Sequence, residues 1–203
     1  MIVRFALLLS AFAACPVLAQ PAAPMGILKP APKHDLVRVG LETEKGRIVL
    51  ALDRGRAPIT TANFLAYVDK KWFDGQPFYR AFKYGDGGVI QGGVRDGSRQ
   101  LPPIAHEPTS RTGLKNRAWT VAVANAGAGT ARSDFFIMTT DIESFDAQGS
   151  DIGFAAFGHV LEGQDVVNAI LAGPVSPTKG AEHGMQGEML EPAIRIVSAR
   201  RVN

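Results

Sequence analysis

From residue 36 onward, hydrophobic and polar positions alternate in short runs. Leu36 to Glu44 alternates, Lys45-Gly46 supplies turn residues, and Arg47 to Leu52 resumes the extended pattern, which predicts a β-hairpin. The period then changes. Pro58 stands where a first helical turn tolerates it, and Ile59, Ala62, Phe64, Leu65 and Val68 follow at helical spacing, so a helix is expected over about residues 58–70. Phe78 to Tyr84 and Val89 to Gln91 read as strands separated by Gly85-Asp86-Gly87-Gly88. Residues 94–117 carry Pro102, Pro103 and Pro108 and have loop composition. In Trp119 to Asn125, Trp119, Val121 and Val123 share one face, and the small Ala122 and Ala124 share the other. Phe135 to Met138, Ala155 to Val160 and Ile194 to Arg200 complete the strands, and Asp165 to Leu171 reads as a second helix opening at an acidic cap. Short strands, Gly-rich turns and two helices predict a mainly β fold, a closed antiparallel eight-stranded barrel capped by two helices.

The N-terminal segment has a different character. Arg4, the apolar run Phe5 to Ala14, and Val17-Leu18-Ala19 before Gln20 follow the pattern of a cleaved secretory signal over residues 1–19. The run is too short to cross a bilayer. Residues 20–34, rich in Pro and Ala, are expected to be a flexible linker, leaving residues 35–203 as one domain. Cys15, the only cysteine, lies inside the leader, and lipidation there is the less favoured alternative. The expectation is a periplasmic or secreted protein without cysteine and with no integral membrane segment after cleavage.

Removing Arg4 takes the formal charge from +3 to +2, and the remaining basic residues are scattered in ones and twos, which argues against a nucleic-acid partner. His34, His106, His159 and His183 are isolated, so no metal site is expected. Gly85 to Gly88 lacks the Gly-Lys-Ser/Thr of a phosphate loop. Asp141, Glu143, Asp146 and Asp151 lack calcium-loop spacing and are expected to form a solvated rim. No cofactor is anticipated.

What remains is an ordered set on separate extended segments: Phe78-Tyr79-Arg80, then Gln91-Gly92-Gly93, then Val121 to Gly127, then Ser133 to Ile137. It offers a cation, two amides and an aromatic ring, a combination suited to binding and polarising a neutral peptide group. Together with Ala155 to Val160 and Glu162-Gly163, this order resembles the cyclophilin family of peptidyl-prolyl cis/trans isomerases from about Leu36 to the C-terminus. The Asp141–Gly153 loop is similar to that of the family's bacterial, periplasmic branch.

The resemblance implies an isomerase acting on X–Pro bonds of unfolded or flexible chains, working as a monomer and assisting the folding of exported proteins. Amide resonance sets a barrier of about 18–20 kcal/mol to that rotation. A guanidinium aimed at the prolyl nitrogen favours the twisted amide, because the nitrogen lone pair is freed as resonance breaks. Arg80 is the candidate for that catalytic donor. By the resemblance, Gln91 contacts the neighbouring carbonyl, the backbone of Ala124 and Asn125 holds the flanking peptide as an added strand, and Phe136 floors the proline pocket. Val89, Phe145 and Phe154 complete the expected substrate-binding residues.

The chain departs from the family pattern at several points. Gly88 replaces an aromatic before the Gln, the Arg80–Gln91 link is three residues longer than usual, and Asp134 replaces a usual Gln. Ser144 and Phe154 stand where others carry Trp or Phe and His or Tyr, respectively. If Gly88 leaves the pocket wall open, Phe82 or Tyr84 could close it. The alternative function is a proline-peptide binding module or holdase with little turnover, and a weaker one is an interaction scaffold.

Overall fold

The computed structural model describes residues 35–203. The expected leader, residues 1–19, and linker, residues 20–34, lie outside the described residues, as does His34. Strands β1 (Leu36–Thr43), β2 (Gly46–Asp53), β3 (Pro77–Tyr84), β4 (Gly87–Gly92), β5 (Thr120–Val123), β6 (Phe135–Met138), β7 (Ala155–Glu162) and β8 (Met189–Val202) close into a barrel in the order β1-β2-β7-β5-β6-β4-β3-β8. Every neighbouring pair is antiparallel. Closure leaves no free sheet edge.

The helices are α1 (Pro58–Asp69), α2 (Thr109–Thr112) and α3 (Gln164–Leu171). Of these, α2 is a single turn inside the stretch expected to be loop, so the barrel carries one more helix than the sequence pattern indicated. Helix α1 buries Phe64, Leu65 and Val68 as their spacing predicts, but its buried face also takes in polar residues that the apolar pattern does not mark. Ile59 is 39% exposed, whereas Thr60, Asn63 and Tyr67 are buried. Their polar groups are satisfied by the 94–117 segment and its neighbours. Buried Glu107 accepts from the Ile59 and Thr60 amides (3.2 and 2.7 Å) and the Thr60 hydroxyl (2.7 Å). Asn63 donates to the Arg132 carbonyl (2.6 Å), and the Tyr67 hydroxyl accepts from the Leu101 amide (2.8 Å). A carboxylate at the start of α1 meets amides that have no partner within the helix and the positive end of its dipole. For α3 the cap is Gly163, and Asp165 sits in the first turn.

Two apolar clusters divide the sheet. Phe64, Phe73, Phe78, Phe135 and Phe157 belong to the main core, with Ile90, Val121 and Ile137 from the strands. Val89, Ala122, Phe136, Met138 and Ile142 form a second cluster, backed by Phe82, Ala124, Phe145 and Phe154. Side chains alternate across a strand, so β4, β5 and β6 each supply both clusters. Phe135 goes to the first and Phe136 to the second.

Candidate active site

The second cluster lies on cross-strand partners. Arg80 pairs with Gln91, Gln91 with Phe136, and Phe136 with Ala122, while Phe82 pairs with Val89 and Val89 with Met138. A β-bulge delivers Arg80 to this face. Phe78 and Arg80 oppose the consecutive residues Gly92 and Gln91, so Tyr79 is extra in β3. Strict alternation would put Phe78 and Arg80 on one side. The additional residue sends Phe78 to the main core and Arg80 to the opposite face, as bulges do when they re-aim a side chain. The adjoining glycine is a packing requirement: a Cβ on Gly93 would lie 2.1 Å from Asp134 Oδ1 and 2.8 Å from Asp134 Cα.

A cavity of about 380 Å³ opens here. Arg80, Gln91 and Asn125 supply its polar rim, and Val89, Ala124, Phe136, Phe145 and Phe154 its apolar floor and walls. All eight residues singled out from the sequence are therefore together. Phe136 meets Phe145 and Phe154 edge to face, at centroid distances of 5.7 and 5.2 Å, a favourable arrangement for aromatic rings. Phe82 and Met185 complete the lining.

Phe82 answers the question raised by Gly88. It lines the cavity, whereas Tyr84 is 48% exposed and does not. Gly88 faces away from the cavity. A Cβ there would stand 2.1 Å from the Phe82 carbonyl oxygen and 3.0 Å from Leu171 Cδ1, so a ring at position 88 cannot be the wall. The longer link is a β3–β4 hairpin extended beyond Val89, with Gly85-Asp86 as its turn. Ser144 is exposed and does not line the cavity; its neighbour Phe145 does.

The polar rim is held on both sides. Arg80 Nη1 donates to Gln91 Oε1 (3.0 Å), and Arg80 Nε and Nη2 both meet Glu188 Oε2 (2.7 and 2.6 Å). Gln91 Nε2 donates to the Tyr79 hydroxyl (2.7 Å), which donates to Asp134 Oδ1 (3.3 Å). Arg95 covers the Tyr79 ring at 4.5 Å and lies 3.7 Å from Asp134 Oδ1. Burial, reinforced by the nearby Asp134 charge, keeps the Tyr79 hydroxyl protonated well above its ordinary range. Burial also raises the Asp134 carboxyl, opposed by Arg95 and by the Tyr79 hydrogen bond.

The aromatic walls have their own support. Buried Asn116 donates through Nδ2 to the Phe145 carbonyl (2.8 Å), the Phe154 carbonyl (3.2 Å) and Asp146 Oδ1 (3.1 Å). Asp146 also accepts from the Asn116 amide (2.8 Å) and meets Arg117 Nη1 (3.3 Å). It is 5% exposed, so it is a structural anchor of the 141–153 loop and no part of a solvated rim. Glu188 and Asn116 carry no local sequence signal, because each acts through a partner distant in the chain. Tyr79 had one: it adjoins Arg80 in the first stretch.

Among the described residues there is no group of three His, Cys, Asp or Glu placed to hold a metal ion, and no helix long and apolar enough to cross a membrane.

Comparison with known proteins agrees with this geometry. The chain is 37% identical over 169 residues to a peptidyl-prolyl cis-trans isomerase of Streptomyces antibioticus, covering 80% of this chain and 96% of the relative. It is 31% identical over 167 residues to one of Acinetobacter baylyi, covering 80% and 84%. The crystal structure of a Cryptosporidium parvum cyclophilin-type isomerase superposes with a TM-score of 0.67 at 19% identity, over 83% of this chain and 99% of that one, which establishes the shared fold. Residues 38–201 match the family described as "Cyclophilin type peptidyl-prolyl cis-trans isomerase/CLD". With that match, the relatives and the eight-stranded barrel in agreement, this chain belongs to the cyclophilin-type peptidyl-prolyl cis-trans isomerases.

Proposed function

We propose that Arg80 is the catalytic donor to the prolyl nitrogen and that Gln91 contacts the adjacent carbonyl, with the proline ring seated on Phe136 among Val89, Phe82, Phe145 and Phe154. The carrying observation is the hydrogen-bonded Arg80–Gln91 pair at the rim of an aromatic-lined cavity. A guanidinium fixed before substrate arrives needs little rearrangement as the amide twists. The Ala124 amide already donates to the Asp134 carbonyl (2.9 Å), so strand-like pairing with a substrate uses the Ala124 carbonyl and the Asn125 backbone. The Cryptosporidium isomerase has also been crystallised in the presence of the dipeptide Ala-Pro, and an X–Pro segment of a flexible chain is the substrate proposed for this cavity. Phe82 supplies the wall that Gly88 does not, which removes one of the two departures behind the holdase alternative and leaves Phe154 as the other.

The proposal extends to an exported protein, cleaved ahead of Gln20, that works as a monomer without a cofactor on unfolded or flexible proline-containing polypeptides outside the cytoplasm. The leader-like pattern of residues 1–19 supports export. An intact mass matching residues 20–203 would agree with it, and a lipid-modified chain starting at Cys15 would refute it. For the chemistry, a protease-coupled assay on a proline tetrapeptide decides. Arg80→Ala should lower turnover about one hundredfold or more, the effect of losing one preorganised donor worth about 2.7–4 kcal/mol. Circular dichroism should be unchanged, and Arg80→Lys should recover little. Wild-type turnover in Arg80→Ala would overturn the assignment.

A further inference from the structure

We propose that Glu188 is a positioning residue for the reaction: its carboxylate fixes the plane of the Arg80 guanidinium and thereby aims the remaining N–H groups into the cavity. The inference rests on the catalytic assignment of Arg80 above.

One oxygen, Glu188 Oε2, meets both Arg80 Nε (2.7 Å) and Nη2 (2.6 Å), while Gln91 Oε1 holds Nη1 (3.0 Å). Contacts to all three nitrogens restrict rotation of the guanidinium, with Glu188 holding two of them and Gln91 the third. Charge-assisted bonds of this kind are short and about twice as strong as neutral ones. The two side chains are only 25% and 20% exposed, so solvent screens them less than a surface pair.

Glu188 is itself fixed by the backbone. Its carbonyl accepts from the Ala81 amide (2.8 Å), beside Arg80, and its amide donates to the Met185 carbonyl (3.1 Å). The next residue, Met189, pairs with Arg80 across β3 and β8 and accepts from the Ser176 amide (2.8 Å). The segment between α3 and β8 is thus tied to β3 at the residue after Arg80, and its Met185 reaches the cavity wall. Two neighbours of the guanidinium bear on its direction: the Phe82 ring, with Arg80 Cζ 5.6 Å from the centroid, and the Gln91 amide. Gln91 holds one nitrogen and Phe82 none, whereas Glu188 Oε2 meets two, so Glu188 is the partner that sets the orientation.

The test is steady-state kinetics on a proline tetrapeptide with the full chain and four variants. Glu188→Ala should lower kcat about tenfold with little change in KM, a coupling of the size seen between residues in direct contact. Glu188→Gln keeps an acceptor oxygen at the same reach and should retain about half of the wild-type kcat. In an Arg80→Ala background, Glu188→Ala should cause no further loss, because the group it positions is gone. Wild-type kcat in Glu188→Ala, with Arg80→Ala impaired, would overturn the role of Glu188 and leave that of Arg80 standing. An equal loss in both backgrounds would show a merely structural effect of the segment and overturn it too. Equal losses in the Gln and Ala variants would mean that charge, and not orientation, is what Glu188 supplies. Wild-type turnover in Arg80→Ala would remove both assignments together.

Discussion

Two aromatic clusters sit on opposite faces of the same strands. In the main core, Phe64, Phe73, Phe78, Phe135 and Phe157 are at most 3% exposed, and Phe135 meets Phe64, Phe73 and Phe78 edge to face at 5.1–5.7 Å. On the other face, Phe136, Phe145 and Phe154 are similarly spaced at 4.8–5.7 Å, yet they enclose a cavity of about 380 Å³. The difference lies in what closes each cluster. Helical residues such as Phe64, Val68, Val167 and Ile170 join the first and fill it. The second is bounded by a hydrogen-bonded polar rim and by loops held in place by Asn116, so Phe145 and Phe154 stay half-buried beside an open cavity above the buried Phe136. Packing the first cluster stabilises the fold; leaving the second unfilled opens the cavity proposed to take the substrate.

The strongest way to test that division is to truncate its two adjacent members. Phe135→Ala should cost about 3–5 kcal/mol of stability, as for a buried Phe whose cavity cannot collapse. Phe136→Ala, at a ring that is also buried (3% exposed) but borders the existing cavity, should cost less and in addition raise KM for a proline peptide. Urea denaturation with parallel kinetics checks both. Equal stability losses with unchanged kinetics would erase the distinction.

Asn116→Ala attacks the scaffold of the second cluster from outside the cavity. It leaves the Phe154 carbonyl without its donor, while the Phe145 carbonyl keeps the Phe154 amide (2.9 Å), at a cost of about 1–3 kcal/mol for a buried polar group left unpaired. KM should rise with it, because the two aromatic walls lose their shared side-chain donor and keep only the Phe154 amide to Phe145 carbonyl bond between them. If stability falls while KM stays at the wild-type value, the walls are held by packing alone.

A smaller effect separates the two rings of the extended hairpin. Phe82→Ala should raise KM about tenfold, the equivalent of losing about 1.5 kcal/mol of apolar contact, with little change in kcat. Tyr84→Ala should match wild type, since that ring is 48% exposed and outside the lining. Identical behaviour of the two variants would mean that the hairpin does not contribute to the wall.

The smallest effect concerns Asp134. Its carboxyl is raised by burial, so the folded protein holds that proton to higher pH than the unfolded chain does. The favourable contribution is complete below the unfolded value and is lost as pH rises through the folded one. Asp134→Asn, which keeps an acceptor for Tyr79, should therefore be slightly more stable than wild type, by a margin that opens as pH rises through the raised carboxylate range. Urea midpoints across acidic to neutral pH measure it. A margin that opens on acidification would reverse the sign.

Much of this was legible in the sequence where local pattern decides. Alternation places Phe135 and Phe136 on opposite faces, and the small Ala122 and Ala124 fall on the side away from Val121 and Val123. The ordered set from Arg80 to Phe154 brings its eight members to one cavity. Features that depend on distant partners were not legible. The polar buried face of α1 exists because Glu107, Leu101 and Arg132 satisfy it. The bulge at Tyr79 appears only in the register with β4. Asp146 reads as a surface acid until Asn116 and Arg117 meet it. Glu188 lies 108 residues from Arg80, and only closure of the barrel through β3 and β8 brings them together.

The central claim is that the rim formed by Arg80 and Gln91 drives rotation while the aromatic cluster beneath it binds. Exchange NMR on an Ala-Pro peptide, with cis and trans resonances resolved, measures both properties on one sample. Wild type should accelerate cis–trans exchange, and Arg80→Ala should bind the peptide with similar affinity while exchange slows about one hundredfold. Undiminished exchange in Arg80→Ala would contradict the account.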